Sequence, residues 1–153
     1  MDKTLLVSAI KKGTVIDHIV KGQAIKIIKL LNLASHDKRV TLGLNLPSKT
    51  QHHKDLIKVE GRELTPAEAN SVAILTPQAT INIIDDYRVV KKFTCKLPEK
   101  IKHIIVCPNP QCITNHEEMD TNFQVNQEKK QVKLQCHYCE KKFNQDEITS
   151  YNT

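Results

Sequence analysis

Four cysteines carry the clearest chemical signal in this chain. Cys107 and Cys112 close the run Cys-Pro-Asn-Pro-Gln-Cys, Cys136 and Cys139 close Cys-His-Tyr-Cys, and 23 residues lie between the two pairs. Two thiolates on one tight turn can point at a single ion. Two such turns supply the tetrahedral set that Zn²⁺ takes at about 2.3 Å from sulfur. Disulfides are the alternative, but a reducing compartment keeps thiols free and knuckle spacing reads as metal before it reads as bridges. One structural zinc ion on Cys107, Cys112, Cys136 and Cys139 is therefore expected. A complete four-cysteine site leaves no position for water, which argues against metal catalysis. For the same reason His103, His116 and His137 read as solvent-facing neighbours rather than ligands. Cys95, the fifth cysteine, reads as a small side chain at a strand end.

The region around these cysteines needs a metal because it is short. From Lys102 onward roughly 50 residues remain, too few for an independent core. Phe123 and Val125 alternate on one expected strand and Val132 and Leu134 on the next, with residues 127–130 as the turn and Phe143 beyond the second knuckle. That hairpin has a thin apolar face. Structural zinc contributes on the order of 10–16 kcal/mol of apparent binding energy, which becomes folding energy.

Charge divides the chain at the same place. Residues 1–93 hold 15 Lys and Arg against 9 Asp and Glu, whereas residues 94–153 hold 8 against 8. The basic bias thus belongs to the first region and the metal-ligand signal to the second. Residues 94–102 are polar, contain Pro98 and show no clear periodicity, so the domain boundary is placed there; the expected domains are residues 1–97 and 98–153.

The first region alternates strands and helices. Residues 5–10 (LLVSAI) read as a short strand, and residues 14–19 as a β-rich segment holding Asp17 and His18. Residues 23–33 place apolar side chains at helical spacing, opposite Lys26 and Lys29. Val40, Leu42, Leu44 and Leu46 alternate along a strand that Pro47 is expected to break, with residues 56–59 returning after a long loop. Thr65-Pro66-Ala67-Glu68 is a capping box with proline at the first helical position, and Pro77 ends that helix. Residues 79–84 and 87–93 read as two more strands. The order strand, helix, strand, strand, helix, strand is the split βαβ pattern of ferredoxin-like sheets, so the fold class is α+β: a ferredoxin-like domain followed by a zinc-ribbon-like β domain. With aromatics at 4% and no Trp, its core must be Ile, Leu and Val.

No apolar run approaches the roughly 20 residues a membrane helix needs, and Met1-Asp2-Lys3-Thr4 does not begin a secretory signal. A cytoplasmic chain without a membrane partner is expected. A basic domain joined to a zinc ribbon suggests a nucleic-acid-binding protein as one function class. Against it, four thiolates around Zn²⁺ take the neutral ribbon to about −2, and Tyr87 and Phe93 lack the flanking pattern of an RNA stacking platform. No nucleophile–base pair, phosphate loop or paired acids supports an enzyme. A sensor that converges basic residues on one phosphorylated molecule remains.

Gly13-Thr14-Val15-Ile16-Asp17-His18-Ile19, Gly43-Leu44-Asn45-Leu46-Pro47-Ser48, Lys54-Asp55-Leu56-Ile57-Lys58, Pro77-Gln78-Ala79-Thr80-Ile81-Asn82 and the cysteine knuckles occur in that order. Together they resemble the regulatory chain of aspartate carbamoyltransferase over nearly the whole length. The resemblance implies a non-catalytic subunit of pyrimidine biosynthesis. Its N-terminal allosteric domain would bind ATP, CTP and UTP, and its zinc domain would dock on the catalytic chain. Two regulatory chains would pair through their N-terminal domains, and three such dimers would join two catalytic trimers in a hetero-dodecamer.

By the same resemblance, Asp17 and Lys58 meet the ribose, His18 and Lys92 the triphosphate, and Ile10, Tyr87 and Val89 frame the base, with Asn82 on the neighbouring strand. The chain departs from the family where Val20-Lys21 stands before Gly22, at positions commonly held by Pro and Ala. In the first knuckle, Gln111 stands where the best-known member has Asn.

Overall fold

The computed structural model describes residues 8–129 and 131–152. Its larger sheet is built from β1 (Gly13–Val20), β2 (Val40–Ser48), β3 (His52–Glu60), β4 (Thr80–Asp85) and β5 (Arg88–Thr94), in the spatial order β2-β3-β1-β4-β5. All neighbouring pairs are antiparallel. Helices α1 (Ala24–Leu30) and α2 (Pro66–Leu75) follow β1 and β3. Without β5 this is the ferredoxin-like arrangement; β5 adds a hairpin partner on the β4 edge.

Period-two alternation sends one set of strand residues to each face. Ile16, Ile57 and Ile81 point into a core with Ile27, Val72 and Ala73 from the helices, and all six are fully buried. The capping box forms as expected: the Glu68 N–H donates to Thr65 Oγ1 at 3.2 Å and the Thr65 N–H to Glu68 Oε1 at 3.1 Å. Gly13 opens β1 at φ +144°, and a Cβ there would lie 2.0 Å from the Val59 carbonyl oxygen, so only glycine fits.

Several expectations are corrected. Ser8–Ile10 form no strand, and the rest of that expected strand lies outside the described residues. Helix α1 stops at Leu30, because Asn32 takes a left-handed conformation (φ +53°) and a 3₁₀ turn, Leu33–Ser35, follows. Pro47 does not end its strand. β2 is an edge strand, where proline costs no ladder hydrogen bond, so pairing continues to Ser48 and the loop before β3 is short. Leu42 and Leu44 remain exposed there, at 40% and 46%.

The smaller sheet has the order β6-β7-β8-β9, from β6 (Lys100–Lys102), β7 (Asn122–Glu128), β8 (Gln131–Cys136) and β9 (Lys142–Asn144). β6 falls within the segment where the domain boundary is expected and no clear periodicity is evident; Ile101 pairs with Phe123 and is buried. Three residues are too short for periodicity to register. The expected hairpin forms with Val125 opposite Leu134 and Phe123 opposite Cys136. Phe123, Val132, Leu134, Ile105 and Ile148 make its core, and Ile74 of α2 reaches into it. Among the described residues, no helix is long and apolar enough to cross a membrane.

Candidate metal centre and polar groove

The first cysteine pair sits on the loop after β6 and the second on the turn that leaves β8. Asn115 shapes the first knuckle, its Nδ2 donating to the carbonyls of Cys107 at 3.0 Å and Asn109 at 2.7 Å. The Glu140 N–H donates to the Cys136 carbonyl at 2.9 Å and tightens the second. These turns bring the four Sγ atoms within 4.8 Å of one another. Cys107 and Cys139 are 3.8 Å apart, and Cys112 and Cys136 are 3.7 Å apart. A disulfide would need about 2.05 Å. A tetrahedron with metal–sulfur bonds of about 2.3 Å has sulfurs about 3.8 Å apart. The donor set therefore fits a single soft or borderline metal ion, and His103, His116 and His137 are not part of it.

Burial pushes the Cys107 and Cys136 thiols up, and neighbouring sulfurs add to the shift. At Cys139 burial acts the same way but is outweighed by hydrogen bonds from Asn109 and the Lys141 N–H and by the neighbouring thiols, which bring it down to about 7. A cation would favour all four thiolates. Cys95 is buried apart from this cluster, with its thiol raised to about 11 by burial.

On the face of the larger sheet away from the helices lies a groove of about 500 Å³. Asp17, His18, Lys58, Asn82, Val89 and Lys92 all line it. They come from β1, β3, β4 and β5, and cross-strand registry explains their proximity: Val15 faces Lys58 and Asn82, and Asn82 faces Lys92. Ile10 and Tyr87 do not line it. Ile10 is buried and Tyr87 is 64% exposed on the β4–β5 turn, whose N–H donates to the Lys11 carbonyl at 3.0 Å. Tyr87 lies on the turn just beyond the Ile84–Val89 pair at one end of the groove, and its bond to Lys11 places it beside the segment that holds Ile10.

Lys54 was not among the expected site residues, yet it lines the groove and pairs with Asp17 Oδ1 at 2.7 Å. The alternation Lys54-Leu56-Lys58 carried that information, since period two puts all three on one face. The His18 N–H also donates to Asp17 Oδ1, at 2.6 Å, and His18 Nδ1 lies 3.1 Å from Thr80 Oγ1. Burial would raise the Asp17 carboxyl, but the Lys54 hydrogen bond, the His18 N–H and the two cationic groups hold it below its ordinary 3.8. Burial lowers the Lys58 ammonium from its ordinary 10.5, against the pull of Asp17. Lys58 Nζ donates to the Ser8 carbonyl at 2.8 Å. With three lysines, a histidine and one carboxylate, the groove favours an anionic ligand.

The Val20 departure has a local consequence. Its N–H, which a proline would lack, donates to the buried Thr76 Oγ1 at 3.0 Å. Lys21 is exposed beside it.

Comparison with known families places both halves of the chain. Residues 5–96 match the model described as aspartate carbamoyltransferase regulatory chain, allosteric domain, and residues 99–149 match the metal binding domain of the same chain. Aspartate carbamoyltransferase regulatory chains of Yersinia pseudotuberculosis and Yersinia pestis are each 49% identical over 142 residues, covering 93% of this chain and 92% of the relative. With a metal-ready cysteine cluster in one region and a cationic groove in the other, the chain belongs to the aspartate carbamoyltransferase regulatory chains, non-catalytic subunits with an allosteric and a metal-binding domain.

Proposed function

We propose that this chain binds nucleoside triphosphates (ATP, CTP and UTP) in the groove and passes their effect to a catalytic chain through a zinc-bound domain. One observation carries the reading: six of the eight expected effector residues, drawn from four strands, line one groove. His18 and Lys92 suit the phosphates, where compact cations meet a multiply negative group. Asp17 and Lys58 suit the ribose. Both contacts of Asp17 use Oδ1, leaving Oδ2 to accept from a hydroxyl. Asn82 and Val89 extend the groove toward the corner where Ile10 and Tyr87 would frame the base.

In this reading the metal is zinc. Four thiolates at tetrahedral spacing are its usual structural set, and when bound it supplies folding energy rather than a reaction. The effector domain spans residues 1–97 and the zinc domain residues 98–153. Pairing through the effector domains and docking of the zinc domains assemble three regulatory dimers with two catalytic trimers, in the cytoplasm. Effectors act by differential affinity for two quaternary states.

Calorimetry tests the groove. CTP should bind the full chain, and Lys92→Ala should bind about tenfold more weakly, the scale of one charge-assisted contact. Unchanged affinity in that variant refutes the phosphate role. Co-purification of a catalytic carbamoyltransferase chain tests the partner.

A further inference from the structure

Both strands beside β3 break register at the same level. On β1 the shift falls between Ile16 and Ile19, where His18 has φ +56°; on β2 it falls between Gly43 and Leu46, where Asn45 has φ +60°. In each case the extra residue lies on the flanking strand and β3 runs through without one. Such bulges re-aim side chains. Here they carry His18 on one side and lead into Leu46 and Pro47 on the other, all of which line the groove.

Asp55 stands on β3 between the two bulges, opposite Ile19 and fully buried. Its Oδ1 accepts the Asn45 N–H at 2.9 Å, at the β2 bulge. Its Oδ2 accepts the Gly22 N–H at 2.9 Å and the Ala24 N–H at 3.3 Å, in the turn that follows the β1 bulge. Among the described residues it joins no ion pair. Three donors from two segments converge on two acceptor oxygens. A carboxylate meets that demand; an amide of the same shape has one acceptor oxygen and must present N–H groups to one set of donors.

We propose that Asp55 is a positioning residue for the groove. One buried carboxylate sets both bulges and thereby holds His18 and the Leu46–Pro47 edge at the spacing a triphosphate ligand needs. The inference rests on the nucleotide reading above. The pleat puts adjacent residues of β3 on opposite faces, so Lys54 pairs with Asp17 in the groove while Asp55 fastens the backbone behind it.

The test uses the full metal-loaded chain and CTP. Asp55→Asn should weaken CTP binding about tenfold, the scale of one charge-assisted hydrogen bond, and should move the amide NMR signals of Asn45, or of Gly22 and Ala24, upfield. Thr65→Ala serves as the stability control, because it removes a helix cap away from the groove; its CTP affinity should equal that of the unsubstituted chain. Should Asp55→Asn fail to fold, Gly22→Ala perturbs one arm alone, since its Cβ meets no atom within 4 Å and strains only the φ of +91°. That variant should bind about threefold more weakly, with the Asn45 amide unmoved. CTP affinity within twofold of the original in whichever variant folds overturns the proposal, as does an equal loss in Thr65→Ala. An unsubstituted chain that fails to bind CTP overturns the nucleotide reading itself, and this inference with it.

Discussion

Replacing Cys136 with serine tests whether the smaller sheet stands on its metal. Cys136 is fully buried, ends β8 opposite Phe123, and places its sulfur 3.7 Å from Cys112. Structural zinc is worth on the order of 10–16 kcal/mol, so four thiolates sharing it equally contribute about 2.5–4 kcal/mol each. A buried hydroxyl without a partner costs about 1–3 kcal/mol more. A unit of roughly 50 residues is expected to have only about 2.5–7.5 kcal/mol of stability, at about 0.05–0.15 kcal/mol per residue. One substitution therefore removes from about half to all of it. Hydrogen exchange on the zinc-loaded chain and on Cys136→Ser reads the outcome residue by residue. The amides of Val125 and Leu134, central to the hairpin, should lose protection in the variant. Those of Ile57 and Ile81, in the core of the larger sheet, should keep it. If Val125 and Leu134 exchange as slowly in the variant as in the loaded chain, the smaller sheet is stable by packing alone and the size argument is wrong.

A mercurial that takes all four thiols of the centre should release one metal ion per chain and abolish association with the catalytic chain, read by gel filtration of the mixture; a surviving complex refutes docking through the metal domain. Asp17, held below its ordinary 3.8, contributes stability above that pH and loses it as pH falls through the lowered value. Acid unfolding of Asp17→Asn should therefore be shallower below pH 4, by circular dichroism. Lys58 sits below its ordinary 10.5, so CTP affinity should decline as alkaline pH rises through that lowered value, and Lys58→Met should flatten the calorimetric profile. Gly13→Ala, with its Cβ 2.0 Å from the Val59 carbonyl oxygen, should lower stability by about 3 kcal/mol or more in urea unfolding.

Much of the molecule could be read from local pattern. The capping box at Thr65, the cysteine spacings and the two-residue alternation of Phe123 and Val125 and of Val132 and Leu134 are interactions between residues a few positions apart, so their geometry follows from the chain itself. The ferredoxin-like order followed from counting the elements of the first region. Resemblance to a family then assigned Asp17, His18, Lys58, Asn82, Val89 and Lys92 to one site, and the sheet registry puts all six in one groove. What could not be read depends on partners distant in sequence. Whether Pro47 ends a strand depends on β2 being at an edge, which only the strand order decides. Whether residues 100–102 form a strand depends on β7, about 20 residues later, offering a free side. The Lys54–Asp17 pair, the Val20–Thr76 hydrogen bond and the three donors on Asp55 join segments 31 to 56 residues apart, or 10 in the case of Asn45. Sequence determined which side chains have the chemistry for a metal and an anion. Tertiary structure decided which backbone donors a buried carboxylate must satisfy, because that obligation arises only when water is excluded.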